Sequence, residues 1–181
     1  MKRIQSFKLS FICSMAIFIL ASCSGGATYW IDNPTNNEIT VTIDGKDPIK
    51  LAPNEFKKME NTIKQGKHTM KVDDGNEIAF DLDKNHIILN PTLSTYVIVL
   101  QEYGTGMASS DNDTVIIIDG VEYEGPFPSV MSDPFIYSGD LNFLIDKPFK
   151  DEIQSSKTGT VIMKKVFRKN EFINFYNEEY N

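Results

Sequence analysis

Thiols and imidazoles are scarce in this chain, which has two cysteines and two histidines among 181 residues. His68 and His86 are the only imidazoles, and no Gly-x-Ser-x-Gly sequence accompanies them, so no Ser-His-Asp triad is visible. A zinc site built on both histidines would need a third ligand, and no spacing identifies one. The sequence therefore predicts no catalytic residue, no metal and no cofactor. His68 shares a strand face with Met70 and Val72, which predicts a packed or hydrogen-bonded imidazole.

Basic residues are outnumbered as well, because 18 lysines and arginines stand against 25 acidic residues. Residues 1–22 hold three basic residues and no acid, so without them 15 basic and 25 acidic residues remain, a formal net charge of −10. A surface with this charge repels phosphate backbones. We therefore expect no nucleic-acid partner.

The amino terminus has the layout of an export signal. Its first eight residues include three basic ones, and residues 9–20 are predominantly apolar. A membrane-spanning helix is the alternative, since no charge appears between Lys8 and Asp32. A span needs about 20 apolar residues, however, and this segment stops being apolar at Ala21. The length favours a signal peptide over residues 1–22.

The second cysteine directly follows this segment. Leu20-Ala21-Ser22-Cys23 resembles the lipobox of bacterial lipoproteins, a leucine and two small residues before the cysteine that becomes residue one. The resemblance implies that diacylglycerol alkylates the Cys23 thiol and that the chain is cut after Ser22. Two or three acyl chains anchor strongly, because each buried methylene contributes about 0.8 kcal/mol. We expect the membrane to be a partner through this lipid.

The same resemblance implies a cellular location for the mature protein. Ser24 stands where an aspartate would retain a Gram-negative lipoprotein at the inner membrane, so the sequence resembles outer-membrane members. In a Gram-positive source the anchor means the outer face of the plasma membrane. Residues 23–27 form a short lipidated tether that keeps the body close to the bilayer. With Cys23 alkylated no free thiol remains, so a hydrophobic core must supply the stability.

From residue 28 onward the pattern is that of a β protein, with short alternating stretches separated by turn residues. In the segment 38–43, Ile39, Val41 and Ile43 share one face, and Asp44-Gly45 closes the strand as a turn. Further strands are predicted at 48–52, 55–60, 67–72, 77–82, 86–90 and 160–167. The stretches 96–100 and 115–118 are apolar on both faces, which predicts central strands covered on both sides.

At the carboxyl terminus the spacing of apolar residues changes from that of a strand to that of a helix. Residues 170–180 place Phe172, Phe175, Tyr176 and Tyr180 at helical spacing, which predicts an amphipathic helix docked on the sheet. The predicted fold class is mainly β, an antiparallel β-sandwich with a short C-terminal helix. Residues 28–181 are predicted to form a single β-rich domain, with lobes at 28–104 and 114–181 as an alternative.

Between residues 125 and 159 the alternation loosens while aromatic residues accumulate. Phe127, Phe135 and Phe149 each follow a proline, and Tyr137 lies nearby. Large aromatic residues most often fill a core, so these rings are expected to close the end of the sandwich. The alternative is a partner-binding surface formed by the same four residues, because long irregular segments often carry function.

A second resemblance covers residues 36–80. The segment 39–46, ITVTIDGK, followed by residues 63–72, IKQGKHTMKV, looks like the PEGA-type β-sandwich module of bacterial envelope proteins. In that module a strand ending in Asp-Gly is followed by a Gly-Lys-His-Thr hairpin. The resemblance implies an adhesive or structural envelope module, without catalysis.

Two acidic patterns bear on calcium binding and on hydrolysis. Residues 81–85, DLDKN, begin like a calcium loop, but His86 stands where the loop needs glycine and Thr92 where it needs a closing glutamate. Glu122 and Glu124 could serve as paired carboxylates for glycoside hydrolysis, although period two places both on one strand face.

These observations favour a lipid-anchored envelope module that acts without catalysis through a protein or glycan partner. An envelope hydrolase using carboxylates is the first alternative. An inhibitor or immunity-type lipoprotein is the second.

Overall fold

The computed structural model describes residues 26–60, 63–104, 113–150 and 159–180. It confirms the predicted fold class, because several antiparallel sheets dominate and one short helix closes the chain. The strands are β1 (Tyr29–Asp32), β2 (Ile39–Ile43), β3 (Ile49–Leu51), β4 (Phe56–Lys58), β5 (Gly66–Val72), β6 (Glu77–Leu82), β7 (Ile87–Leu89), β8 (Tyr96–Tyr103), β9 (Thr114–Ile118), β10 (Val121–Gly125), β11 (Ser129–Met131), β12 (Phe135–Tyr137) and β13 (Val161–Arg168). The helix is α1 (Lys169–Glu179).

The strands pair into four sheets. The N-terminal sheet has the order β3-β2-β5-β6, the middle sheet β12-β7-β1-β4 and the C-terminal sheet β11-β8-β13, while β9 and β10 form a separate hairpin. The middle sheet contains a parallel pair, in which Tyr29 of β1 lies opposite Ile87 of β7. Strand β8 precedes residue 104 but pairs with two strands that follow residue 114, so segments 28–104 and 114–180 share a sheet.

Hydrophobic side chains hold these layers together in three clusters. The first joins the N-terminal sheet, through residues such as Val41 and Met70, to one face of the middle sheet, which contributes Ile87 and Leu89. The second joins the opposite face of the middle sheet, through Ile88, to the C-terminal sheet. Successive residues of β7 thus enter different clusters because side chains alternate across a strand.

The third cluster lies on the outer face of the C-terminal sheet. Val97, Val99 and Phe167 of that sheet pack there against Phe172 of α1 and against the inner face of the hairpin. Strand β8 is therefore covered on both faces, as predicted for residues 96–100. Phe172 is fully buried, which confirms a helix docked on the sheet.

The prediction for residues 115–118 is wrong. Val115 and Ile117 are 58% and 64% exposed, while Ile116 and Ile118 are buried. The hairpin has only two strands and packs through one face, so its outer face meets solvent although the residues there are apolar. Covering both faces of a strand requires a second layer, which the third cluster supplies on the inner side alone.

Two Asn-Pro-Thr turns follow the parallel pair β1 and β7. The amide of Asn33 donates to the carbonyl of Asn37 at 2.8 Å, and the amide of Asn90 donates to the carbonyl of Ser94 at 2.8 Å. The side-chain oxygen of Asn90 also accepts from the backbone N–H of Ser94 at 3.0 Å. Both asparagines are fully buried, so each satisfies a turn that would otherwise leave polar backbone groups unpaired.

The predicted signal peptide, Cys23 and Ser24 lie outside the described residues. Ala27 is already part of the fold, because its N–H donates to the carbonyl of Ile63 at 2.6 Å and its side chain is buried. Four extended residues beyond Cys23 reach at most about 14 Å. No helix in the described part of the chain is long and apolar enough to cross a membrane.

Candidate functional site

A concavity lies between the outer face of the C-terminal sheet and the last turns of α1. This cavity, here called the helix groove, has a volume of about 840 Å³, which is within the range of ligand pockets, about 300–1,000 Å³. Its wall combines aromatic rings, carboxylates and two lysines. These residues are Phe149, Phe167, Phe175 and Tyr180, Glu102, Asp113, Glu171, Glu178 and Glu179, and Lys150 and Lys165.

The aromatic rings form a continuous wall. The ring of Phe175 lies 4.9 Å from that of Phe167, 6.1 Å from that of Phe149 and 6.3 Å from that of Tyr180, measured between centroids. The spacing within the helix brings this wall together, since Phe175 lies one turn after Phe172, whose buried ring fixes the helix on the sheet. Burial, followed by the charges of Asp113 and Glu179, raises the pKa of the Tyr180 phenol.

Lys165 is an unusual component of this wall because only 4% of the residue is exposed. Its ammonium donates to the carbonyls of Leu144, Ile145 and Lys147 at 3.1, 3.2 and 2.7 Å. It also lies 4.5 Å from the centroid of the Phe167 ring. Burial lowers the pKa of Lys165 to about 8, although nearby carboxylates, foremost Glu171, oppose the shift. The three carbonyls direct the positive charge toward the 144–147 loop, so this lysine holds that loop against the sheet.

A buried ion network fixes the first turn of α1. Asp32 is fully buried at the end of β1 and accepts from Arg168 Nε at 3.0 Å and from Arg168 Nη2 at 2.6 Å. The hydroxyl of Tyr96 donates to the same carboxylate at 2.5 Å. Arg168 Nη1 donates to Glu171 at 3.0 Å, and Nη2 donates to the carbonyl of Asn54 at 3.0 Å. The network thus ties β1, the loop before β4, β8 and α1 together at one point.

Ionisation within the network follows from its geometry. Burial raises the pKa of the Tyr96 phenol, and the charge and hydrogen bond of Asp32 raise it further. Burial by itself lowers the pKa of Arg168, but its hydrogen bonds and ion pair with Asp32 outweigh that effect and raise the pKa. Tyr96 therefore remains a neutral donor and Arg168 a cation. All the donors of the network serve the carboxylates and a backbone carbonyl, so its role is structural.

The four aromatic residues, which were predicted either to close the end of the sandwich or to form a partner-binding surface, do not lie together. Phe127 is 1% exposed and contacts Phe172 edge to face with centroids 4.9 Å apart, beneath the helix. Phe135 and Tyr137 lie on β12 at the edge of the middle sheet, where Lys84 covers the ring of Tyr137 at 4.8 Å. Phe149 is half-buried and lines the helix groove. Only this last residue contributes to the groove wall.

The two histidines and the acidic segment 81–85 do not line the helix groove. His68 Nδ1 lies 2.9 Å from Asp44 Oδ2, and Nε2 lies 2.7 Å from the carbonyl of Lys64, so the interpretation as a hydrogen-bonded imidazole is confirmed. The exposed His86 has a positive φ of 61°, and its carbonyl accepts from Ser138. Residues 81–85 comprise the last two residues of β6 and the loop after it. No group of three or more potential metal ligands occurs within the described ranges.

Glu122 and Glu124 lie side by side on the exposed face of β10, opposite Ile117 and Val115 of β9. The register confirms that both carboxylates share one face. They do not line the helix groove, which draws its acids from β8, from Asp113 just before β9, and from α1.

Sequence reasoning missed Asp32, Arg168 and Lys165. Arg168 pairs with a carboxylate 136 residues away, and a single sequence carries no signal for a contact of that separation. Lys165 could have been noticed, because it interrupts the apolar face of a predicted strand, where a charge demands partners. The groove acids of α1 had a weaker signal, since Glu178 and Glu179 lie between Tyr176 and Tyr180 in the sequence.

Comparison with protein-family models, with curated proteins and with solved structures finds no match to this chain. The resemblances to bacterial lipoproteins and to the PEGA-type module therefore remain predictions from the residues that carry them.

Proposed function

We propose that this chain is a lipid-anchored module of the bacterial cell envelope that acts without catalysis and binds a partner in the helix groove. The groove carries the proposal, because it joins an aromatic wall to charged side chains in a cavity large enough for a ligand. The lipobox Leu20-Ala21-Ser22-Cys23 supports the anchor. The early start of the fold at Ala27 supports a body held close to the membrane.

The groove is suited to holding a ligand because its wall is anchored on both sides. The ion network of Asp32 and Arg168 holds the first turn of α1, and Lys165 holds the loop that leads to Phe149. A wall fixed before binding loses little conformational entropy when a ligand enters.

The anchor is tested by labelling cells with an alkyne analogue of palmitate. We expect the wild-type protein and a Cys13→Ser variant to carry the label and to fractionate with membranes. A Cys23→Ser variant should lack the label and keep its first 22 residues or leave the membrane. A Cys23→Ser protein that is still labelled would overturn the anchor, and so would a wild-type protein without label.

The binding role is tested by photo-crosslinking in cells. Benzoylphenylalanine replaces Tyr180, which lines the groove and is 45% exposed, or Leu93, which is 43% exposed on the turn before β8. We expect a discrete crosslinked product from position 180 and none from position 93. Equal products from both positions, or no product from position 180, would remove the groove from the proposal.

The groove acids support one further candidate function, an envelope hydrolase that uses two carboxylates. Glu102 of β8 and Glu178 of α1 both line the cavity. Release of reducing ends from purified envelope glycan, lost in both Glu102→Gln and Glu178→Gln but kept in Glu122→Gln, would favour this candidate over the binding module.

A further inference from the structure

The charges around the helix groove are unequal in number and in placement. Five carboxylates and two ammonium groups line the cavity. The ammonium of Lys165 is directed toward three carbonyls of the 144–147 loop, and Glu171 is paired with Arg168. Of the other carboxylates, Glu178 and Glu179 belong to the last turn of α1, and Asp113 lines the cavity with them.

The aromatic wall ends at the same place. Tyr180 lies next to Glu179 in the chain, and its ring is 6.3 Å from the ring of Phe175, which faces the groove. The charges of Asp113 and Glu179 contribute to the raised pKa of the Tyr180 phenol, which places both carboxylates within electrostatic reach of this ring. Aromatic rings beside carboxylates form an environment that stabilises an organic cation, through cation–π attraction and ion pairing together.

Guanidinium groups fit this environment better than ammonium groups. A guanidinium is planar, stacks on rings, and donates two parallel hydrogen bonds to a carboxylate. The aliphatic stem of an arginine can lie along the apolar part of the wall while its charged end reaches the acids. The cavity of about 840 Å³ is larger than one side chain needs, so backbone on both sides of the arginine can enter as well.

We propose that the helix groove binds an arginine-bearing segment of a partner polypeptide, with the guanidinium placed between the Phe175–Tyr180 rings and the carboxylates of Glu178 and Glu179. This inference rests on the proposed function and names the chemistry of its partner. Charge complementarity selects this occupant, because five carboxylates outnumber two lysines in the wall and an acidic or neutral glycan chain would bring no positive charge.

The test uses the full chain, purified from the cell fraction in which it accumulates, and the capped peptide acetyl-Gly-Arg-Gly-Arg-Gly-amide. Isothermal titration calorimetry at low salt should show saturable binding with one peptide per chain. A Glu178→Gln/Glu179→Gln variant should bind at least tenfold more weakly, and Tyr180→Ala should reduce the affinity several-fold. The matched control Asp74→Asn/Glu77→Gln removes two exposed acids at the turn into β6 and should bind like the wild type.

Three results would overturn the proposal. These are no saturable binding up to millimolar peptide, equal weakening in the control variant, and equal binding of a peptide with citrulline in place of arginine. Spermidine binding as tightly as the peptide would show that the groove takes small amines, which also contradicts a polypeptide partner.

Failure here can be separated from failure of the proposed function. If the peptide does not bind while benzoylphenylalanine at position 180 still crosslinks a partner, the groove is a binding site for another chemistry. If neither occurs, the binding role itself is wrong, whatever the palmitate label shows about the anchor.

Discussion

Breaking the ion network should cost far more stability than breaking a surface ion pair. Replacing Arg168 by methionine keeps most of the side-chain length, but among the described residues it leaves the fully buried carboxylate of Asp32 with the hydroxyl of Tyr96 as its one remaining side-chain partner. Removing one partner of a buried pair typically costs about 3–5 kcal/mol. The matched control is Lys50→Met, which breaks the ion pair with Glu38 on the N-terminal sheet. Both of those side chains are more than half exposed, so we expect a loss of at most about 1 kcal/mol.

The prediction is measured by urea unfolding followed through the fluorescence of Trp30, the only tryptophan, which lies on β1 two residues before Asp32. Asp32→Asn alone should also be strongly destabilising, because it leaves the buried Arg168 cation without its closest counter-charge. The double variant Asp32→Asn/Arg168→Met should cost less than the sum of the two single variants by about 1–3 kcal/mol, since neither charge is then left unpaired. Additive losses, or an Arg168→Met loss no larger than that of Lys50→Met, would refute a coupled buried network.

Three further predictions concern single positions and use the same unfolding measurement. Because the pKa of Lys165 is about 8 in the fold against an ordinary 10.5, the folded protein loses this proton first as pH rises. The free energy of unfolding of the wild type, measured against that of Lys165→Met, should therefore rise between pH 8 and 10 by up to about 1.4 kcal/mol per pH unit. A difference between the two proteins that does not change with pH would contradict the burial of this charge. In Gly104→Ala, at a φ of +134°, the new Cβ would clash with the Gly159 carbonyl, so this variant should lose more stability than Gly45→Ala, where φ is +64° and the Cβ meets nothing within 4 Å. Asn90→Ala removes side-chain bonds at a fully buried turn and should cost about 2 kcal/mol or more, and a loss below about 0.5 kcal/mol would show that the turn holds without them.

Much of the strand pattern could be predicted because it is local. The strand predicted at 38–43 is observed as β2 over 39–43, and the one predicted at 77–82 has the observed bounds of β6. In both, alternation gave the face and flanking Asp-Gly or Asn residues gave the ends. The segment 125–159 was expected to have little regular structure, yet it contains β11 and β12. Each has only three residues, too short for alternation to show.

Contacts that join distant segments could not be predicted in the same way. The outer face of the hairpin carries Val115 and Ile117, which composition alone cannot distinguish from a buried face. The parallel pairing of β1 with β7 and the ion pair of Asp32 with Arg168 depend on how the sheets stack, and one sequence carries no direct signal for that. The helix groove also depends on how the sheets stack. The sequence showed the aromatic residues of α1 at helical spacing, but it did not show which surface of the sheet lies opposite them.

The arrangement of these distant contacts explains why the groove is found beside α1. Asp32 ends β1 immediately before the Asn33 turn, and Tyr96 begins β8 shortly after the Asn90 turn, so both turns and the ion network occupy the same end of the stacked sheets. Arg168 directly precedes α1 and belongs to the network, so the helix begins at this end, where polar interactions fix its first turn. The helix extends away from that point for 11 residues, or about 16 Å, and beyond its first turn the rings of Phe172 and Phe175 pack on Phe127 and Phe167. A helix fixed at one end and packed through aromatic rings at the other leaves space along its last turns, and it is there that its carboxylates meet the groove.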